Sequence, residues 1–222
     1  MKIGILGTGQ VAQGIAAKLS ERGHQIKVGS RTGEHTKGKE WVENLENASL
    51  ASYEKATRFG EMIFNCVAGV GVLDALKLAG KDNFENKILV DVSNPLDFSK
   101  GMPPSLFVGS DDSLAEQIQR ALPSAKVVKV LNTLNVELMV NPSSLPGEHN
   151  LFMAGDNEDA KKEVCRLLTK DFGWPDKAIL DLGDISAARG TEAAVLLWVR
   201  LWTKFQNHKF NFHIVVDPKT KR

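Results

Sequence analysis

Thiols are scarce in this chain: Cys66 and Cys165 are the only two among 222 residues. They lie far apart and outside any metal-ligand spacing, which excludes a disulfide framework and a zinc site. They read as small, mostly buried hydrophobes in a reducing compartment. Charge of one sign is missing too. Lys and Arg total 28 against 27 Asp and Glu, a formal net charge of +1. No global field therefore favours nucleic acid or an anionic membrane surface. Long apolar runs are also absent. The first run stops at once in Gly7-Thr8-Gly9-Gln10, too short for the core of a secretion signal. The longest later run, 193–199, falls far short of a membrane span. The expectation is a cytoplasmic, unanchored protein with no nucleic-acid or membrane partner.

What is present is alternation. Short runs rich in Val and Ile at 2–6, 25–29, 62–67, 87–92 and 126–131 read as buried strands. Helical patterns fill the gaps at 11–22, 34–45, 72–79 and 113–122. This predicts an α/β chain, a Rossmann-type, doubly wound, mostly parallel sheet with helices on both faces. Two more strand-like runs, 150–154 and 178–182, flank a helical stretch at 159–170 that Asp156 or Asn157 would cap. A long helix at 185–206, capped by Asp184, closes the pattern. After it, Phe210, Phe212, Ile214 and Val216 alternate as one face of a strand at 210–216. The expected division is a dinucleotide-binding domain over 1–184 and a small helix-strand appendage over 185–222. The charged tail 217–222 reads as disordered.

Gly7-Thr8-Gly9-Gln10-Val11-Ala12 is G-x-G-x-x-A, the dinucleotide-binding form with alanine in place of the third glycine. Gly7 permits the tight turn off the strand. Gly9 lets a pyrophosphate approach the backbone, and Ala12 lets the helix pack close. The helix then aims its unpaired N–H groups at the phosphates. A lone glycine pattern is weak, but this one follows a hydrophobic strand and opens an amphipathic helix.

An NAD site carries Asp or Glu at the end of the second strand. This chain has Gly29-Ser30-Arg31-Thr32 there. A carboxylate would repel a 2′-phosphate, whereas a guanidinium flanked by two hydroxyls can cradle it. The expected cofactor is therefore NADP, held by Ser30, Arg31 and Thr32. Lys37 and Lys39 can add charge, and Glu34 is a counter-signal. In open α/β sheets the ligand lies across the carboxyl ends of the strands. The strand at 62–67 runs into Ala68 and Gly69, small enough for a dinucleotide to pass. The strand at 87–92 runs into Ser93-Asn94-Pro95. There Asn94 can meet the nicotinamide on a turn that Pro95 stiffens, with a cis bond an option. The polar run Asn132-Thr133-Leu134-Asn135 ends the next strand. No histidine forms a defensible catalytic pair, and no catalytic residue or metal ligand is assigned. In the last helix Ala194, Leu197, Trp198, Leu201, Trp202 and Phe205 form a stripe. It reads as a core or dimer contact, or as the wall of a flat substrate site.

These residues resemble the NADPH-dependent reductases of the deazaflavin coenzyme F420. The resemblance covers nearly the whole chain. It is carried by the run from Lys2 to Gly9, by Val28-Gly29-Ser30-Arg31 and by Ser93-Asn94-Pro95-Leu96. Asn132-Thr133, Asp181-Leu182-Gly183-Asp184 leading into Ala187-Ala188-Arg189, and Phe210-Asn211-Phe212 complete it. Typical members have a histidine near the position of Asn132. The resemblance implies a Rossmann domain with a small C-terminal helical appendage, in a homodimer that transfers a hydride between NADP and a flat acceptor such as coenzyme F420. A reductase of a small imine or carbonyl, and a non-enzymatic NADPH sensor, are the alternatives.

Overall fold

The computed structural model describes residues 1–34, 36–217 and 219, with Thr36 and Lys37 described in the backbone only. Expectations for His35, for the Lys37 side chain and for 218 and 220–222 lie outside the described residues. The chain opens with β1 (Lys2–Leu6), α1 (Gln10–Glu21), β2 (Gln25–Ser30) and α2 (Thr36–Val42). It continues through β3 (Ala48–Ser52), α3 (Tyr53–Phe59), β4 (Met62–Asn65), α4 (Val72–Ala79) and β5 (Ile88–Asp91). A short hairpin of β6 (Leu96–Asp97) and β7 (Ser105–Leu106) precedes α5 (Leu114–Ala121) and β8 (Lys126–Val130). Then come α6 (Val136–Val140), β9 (Leu151–Ala154), α7 (Glu158–Leu167), β10 (Ile179–Asp181) and α8 (Ala188–Phe205).

Eight strands form one sheet in the order β10-β9-β8-β5-β4-β1-β2-β3. All neighbours run parallel except β8 and β9. This is the Rossmann-type architecture expected from the alternation. One core layer packs α1, α6 and α7 on the sheet around Ile15, Leu19, Leu138, Val164 and Trp174. The other packs α3, α4 and α5 around Ala56, Leu76, Leu114 and Ile118. No helix among the described residues is long and apolar enough to cross a membrane.

Caps hold helices where the sequence starts them. Ser113 accepts from the Glu116 N–H, Asn157 from that of Ala160 and Asn135 from those of Glu137 and Leu138, each satisfying orphan donors of a first turn. β3 and α3 lie where the sequence reading left a gap. Ala48-Ser49-Leu50-Ala51-Ser52 has little β-branched character, and it forms a strand because β2 offers it a parallel ladder.

Two expectations are corrected. Residues 210–216 form no strand. Asn150 donates its N–H to the Phe212 carbonyl, while Ile214 N–H is taken by the Asn150 side chain. A side-chain oxygen thus stands where a ladder carbonyl would be. The aromatic stripe of α8 is also not its core face. The buried residues are Ala188, Thr191, Glu192, Val195 and Val199. Trp202 and Phe205 stay 41% and 55% exposed, and Phe210 covers Trp198 at 5.3 Å between ring centres.

The reason for this orientation is an ion cluster. Lys129 of β8 is wholly buried, with its ammonium 2.8 Å from both Asp91 of β5 and Glu192 of α8. It also donates to the Ser93 carbonyl at 2.5 Å. Glu192 in turn accepts from the N–H groups of Leu114 and Ala115, so it caps α5 as well. Burial disfavours the ammonium, but the two carboxylates outweigh it and hold Lys129 above the ordinary lysine range. Replacing Lys129 with Met would strand two buried carboxylates, a loss of about 3–5 kcal/mol. Urea denaturation of Lys129→Met should show a fall of that order, and a loss below about 1 kcal/mol would contradict this account.

Candidate functional site at the carboxyl ends of the strands

Strand register builds the site. Leu6 of β1 stands opposite Gly29 of β2 on one side and Asn65 of β4 on the other. Asn65 stands opposite Asp91, and Asp91 opposite Lys129. The predicted site residues follow directly after this row. The chain lays β2 and β3 on one side of β1, then returns to place β4 on the other. The reversal between β1 and β4 is the switch point at which such sheets take ligands.

The turn after β1 sits in that crevice. Gly7 has φ 109, and a Cβ there would lie 2.7 Å from the Cys66 carbonyl oxygen. Gly9 caps α1; among the described residues no side chain is seen hydrogen-bonded to its first-turn N–H groups, and no acidic residue occupies that turn. A Cβ on Gly9 would meet nothing within 4 Å. The positive end of a twelve-residue helix therefore faces open space, and these residues fit a pyrophosphate. Thr8 and Val11 are half-buried, Gln10 is exposed and Ala12 is fully packed. The Trp41 indole N–H donates to the Thr8 carbonyl at 3.4 Å, bracing the turn from α2.

At the end of β2, Ser30 is buried and its hydroxyl accepts from Gly33 N–H at 3.1 Å. The Thr32 hydroxyl accepts from Glu34 N–H. Arg31 is exposed and lines a cleft of about 500 Å³ with Tyr53, Val67, Gly71, Asp74 and Lys77. Burial raises the Tyr53 phenol and the Arg31 charge pulls partly against it, which sets the guanidinium near that ring. Lys39 pairs with Glu43 instead and is not in this cleft.

The loops after β4 and β5 touch. A Cβ on Gly69 would collide with the Asn94 carbonyl, so Ala68, Gly69, Asn94 and Pro95 form one closely packed rim. The cis bond lies elsewhere, between Met102 and Pro103. Asn65 donates to Asp91 at 2.7 Å and accepts from Val67 N–H, while Ser93 donates N–H and O–H to Asp91. The buried ion cluster thereby holds both loops. Asn94 and Asn132 exchange two hydrogen bonds at 2.9 Å each. Beside Pro95, a cleft of about 280 Å³ is walled by Leu106, Val108, Gly190 and Ala193. Arg189 at its edge is paired with Glu116 at 2.6 Å, which holds the Glu116 carboxyl below its usual range.

Among the described residues, Cys66, His24 and His149 stay out of this chemistry. Burial, reinforced by the Asp91 charge, pushes the Cys66 thiol up, so it is no thiolate. His24 lies at the amino edge, 3.2 Å from Asp171. His149 packs edge-on against Trp174 and contacts the Pro142 carbonyl.

Residues 2–95 match the family described as NADP oxidoreductase, coenzyme F420-dependent. A candidate F420-dependent NADP reductase from Arthrobacter sp. FB24 is 41% identical, with a TM-score of 0.92 over 97% of this chain and 100% of that one. The chain belongs to the coenzyme F420-dependent NADP oxidoreductase family. Metalloreductase STEAP3 of Rattus norvegicus is 31% identical to this family member over 202 residues, 90% of this chain. The chain spans 38% of that metalloreductase's length. An imine reductase from Myxococcus stipitatus, 16% identical, shares the fold at a TM-score of 0.62 over 92% of this chain and 63% of that one.

Several site-shaping residues escaped the sequence reading: Lys129 and Glu192, Tyr53 in the Arg31 cleft, and Trp41 behind the turn. Lys129 had a signal, since a lysine inside Val127-Val128-Lys129-Val130 needs a buried counter-charge.

Two glycines should behave oppositely. Gly9→Val fills open space, so thermal stability should hold while NADP affinity falls by about tenfold or more. Gly69→Ala overpacks the rim, so stability should fall by about 1–3 kcal/mol. Calorimetric titration and thermal melts of both variants check this; a Gly9→Val protein with native affinity would move the site elsewhere.

Proposed function

We propose that this NADP oxidoreductase passes a hydride between NADPH and a flat ring acceptor, with the deazaflavin F420 as that acceptor. The observation that carries the reading is the open, uncapped amino end of α1 at Gly9. In the sheet order it lies between the Arg31 cleft at β2 and the Pro95 cleft beyond β4, whose lining joins Leu106, Val108 and Ala193 to the polar Ser110, Asp112 and Glu192. In this reading Gly7, Thr8, Gly9, Gln10, Val11 and Ala12 hold the pyrophosphate. Ser30, Arg31 and Thr32 hold the 2′-phosphate. Ala68 and Gly69 let the cofactor pass, and Asn94 and Pro95 border the nicotinamide. The bound cofactor supplies or takes the hydride; the chain contributes binding, ring orientation and exclusion of water. Pro95, Leu106 and Val108 offer an apolar wall for the second ring, and the half-exposed Phe98 and Phe107 extend it. In this reading the chain works in the cytoplasm.

The segment 185–222 is read as the far wall of the acceptor site and as a contact between two copies. Leu197, Trp202 and Phe205 support this, since all three stay largely exposed on one helix. Each aromatic buries roughly 150–250 Å² when covered, and an isologous pairing covers the same patch twice.

Two experiments test the reading. Anaerobic mixing of the native chain with NADPH and oxidised F420 should bleach the deazaflavin while NADPH is consumed. Arg31→Ala should weaken NADPH binding by about 1.5–3 kcal/mol and leave NADH nearly unchanged; no turnover, or equal losses for both cofactors, would count against it. For the assembly, light scattering should give a dimer for the native chain and a shift towards monomer for Trp202→Asp. A native monomer rejects the pairing.

A further inference from the structure

The ends of β5 and β8 carry two asparagines that face each other. The Asn94 amide nitrogen donates to the backbone carbonyl of Asn132, and the Asn132 amide nitrogen donates to the Asn94 amide oxygen, both at 2.9 Å. These bonds fix the orientation of both amides. A backbone carbonyl only accepts, so the Asn94 atom facing it is the nitrogen. Asn94 then presents its oxygen to Asn132, which must answer with its own nitrogen. Turning the Asn132 amide over would set two oxygens against each other. The Asn132 amide oxygen is therefore left pointing away from the pair. It is buried and has no donor, and the residue as a whole is 4% exposed. Buried acceptors without a donor are rare in folded proteins and call for an explanation.

A second unfavourable feature sits beside it. Leu131, directly before Asn132, is wholly buried at φ 68. That left-handed conformation is costly for a bulky side chain, and strain of this kind gathers at ligand sites. Both features lie at the carboxyl end of β8, on the side of the crevice opposite Arg31.

We infer that the Asn132 amide oxygen is the acceptor for an N–H of the nicotinamide carboxamide. The inference rests on the NADP reading above. With the 2′-phosphate at β2 and the pyrophosphate at α1, the nicotinamide end lies towards β5 and β8. The carboxamide is the N–H donor at that end of the molecule. Asn94 acts through Asn132, by holding its amide in the one orientation that leaves the oxygen free. That oxygen is shut off from solvent in the free chain, so engagement requires a small shift of the rim.

The test compares NADP with its acetylpyridine analogue, in which a methyl group replaces the carboxamide nitrogen. The ribose hydroxyls and phosphates are common to both, so their contributions cancel. Calorimetric titration of the native chain should show NADP bound about tenfold more tightly, the size expected of one recovered hydrogen bond. In Asn132→Leu, which keeps the bulk and removes the acceptor, the preference should collapse to about twofold or less. Asn132→Ala provides the same reading at smaller volume. Equal affinities in the native chain would overturn the inference without the need of a folded variant, as would a preference that survives in both variants. Failure of the native chain to bind NADP would overturn the cofactor reading itself, and with it this role for Asn132.

Discussion

A single ammonium group in a dry interior is the constraint around which this molecule is organised. Lys129 meets Asp91, Glu192 and the Ser93 carbonyl, one partner for each of its three N–H bonds. A charge removed from water is tolerated only with such complete pairing. The geometry of that pairing dictates the positions of β5, β8, α5 and α8 together. It explains why α8 buries a glutamate while leaving tryptophan and phenylalanine partly in water. Burial of the stripe Leu197, Trp198, Leu201, Trp202 and Phe205 would have rolled the helix the other way. The hydrophobic gain forgone on the aromatic side is offset by the cost avoided at Lys129.

The same cluster reaches the rim. Asp91 takes hydrogen bonds from Asn65 and Ser93, and Asn65 takes one from Val67 N–H. The loops after β4 and β5, with no more regular structure than one 3-10 turn at Gly69–Gly71, are thereby set by buried side chains beneath them. The Gly69–Asn94 contact then locks those loops to each other. Rigid placement of this kind is what the proposed hydride transfer between two rings would require of the cleft.

The legible part of the sequence is the part where backbone geometry forces residue type. A turn at φ 109 after β1 demands glycine, so Gly7 declared the turn, while the missing Cβ at Gly9, which the fold itself does not require, declared a surface kept open for a ligand. Alternating Val-rich runs and amphipathic stretches declared the sheet. Arg31 declared a cation where a carboxylate is the common alternative. What stayed hidden depends on partners distant in sequence. The face of α8 is chosen by Lys129, 63 positions before Glu192, and no periodicity encodes that. β3 was hidden because serine and alanine become a strand there only in the presence of β2. The 210–216 segment alternates as a strand should, but the Asn150 side chain intercepts its ladder.

The single antiparallel junction in the sheet, between β8 and β9, acts as a ruler. From β2 to β8 five strands point their carboxyl ends the same way, and β9 and β10 point theirs the opposite way. At a spacing of about 4.8 Å per strand, that row is roughly 19 Å wide. Its length sets how much of an extended molecule can lie along the crest of the sheet. Anything longer has to turn off the crest at β8, and the surfaces waiting there are the β6–β7 hairpin and α8. Under the proposed reading, the reversal of one strand divides the cofactor, measured by the sheet, from an acceptor left to the chain's closing helix.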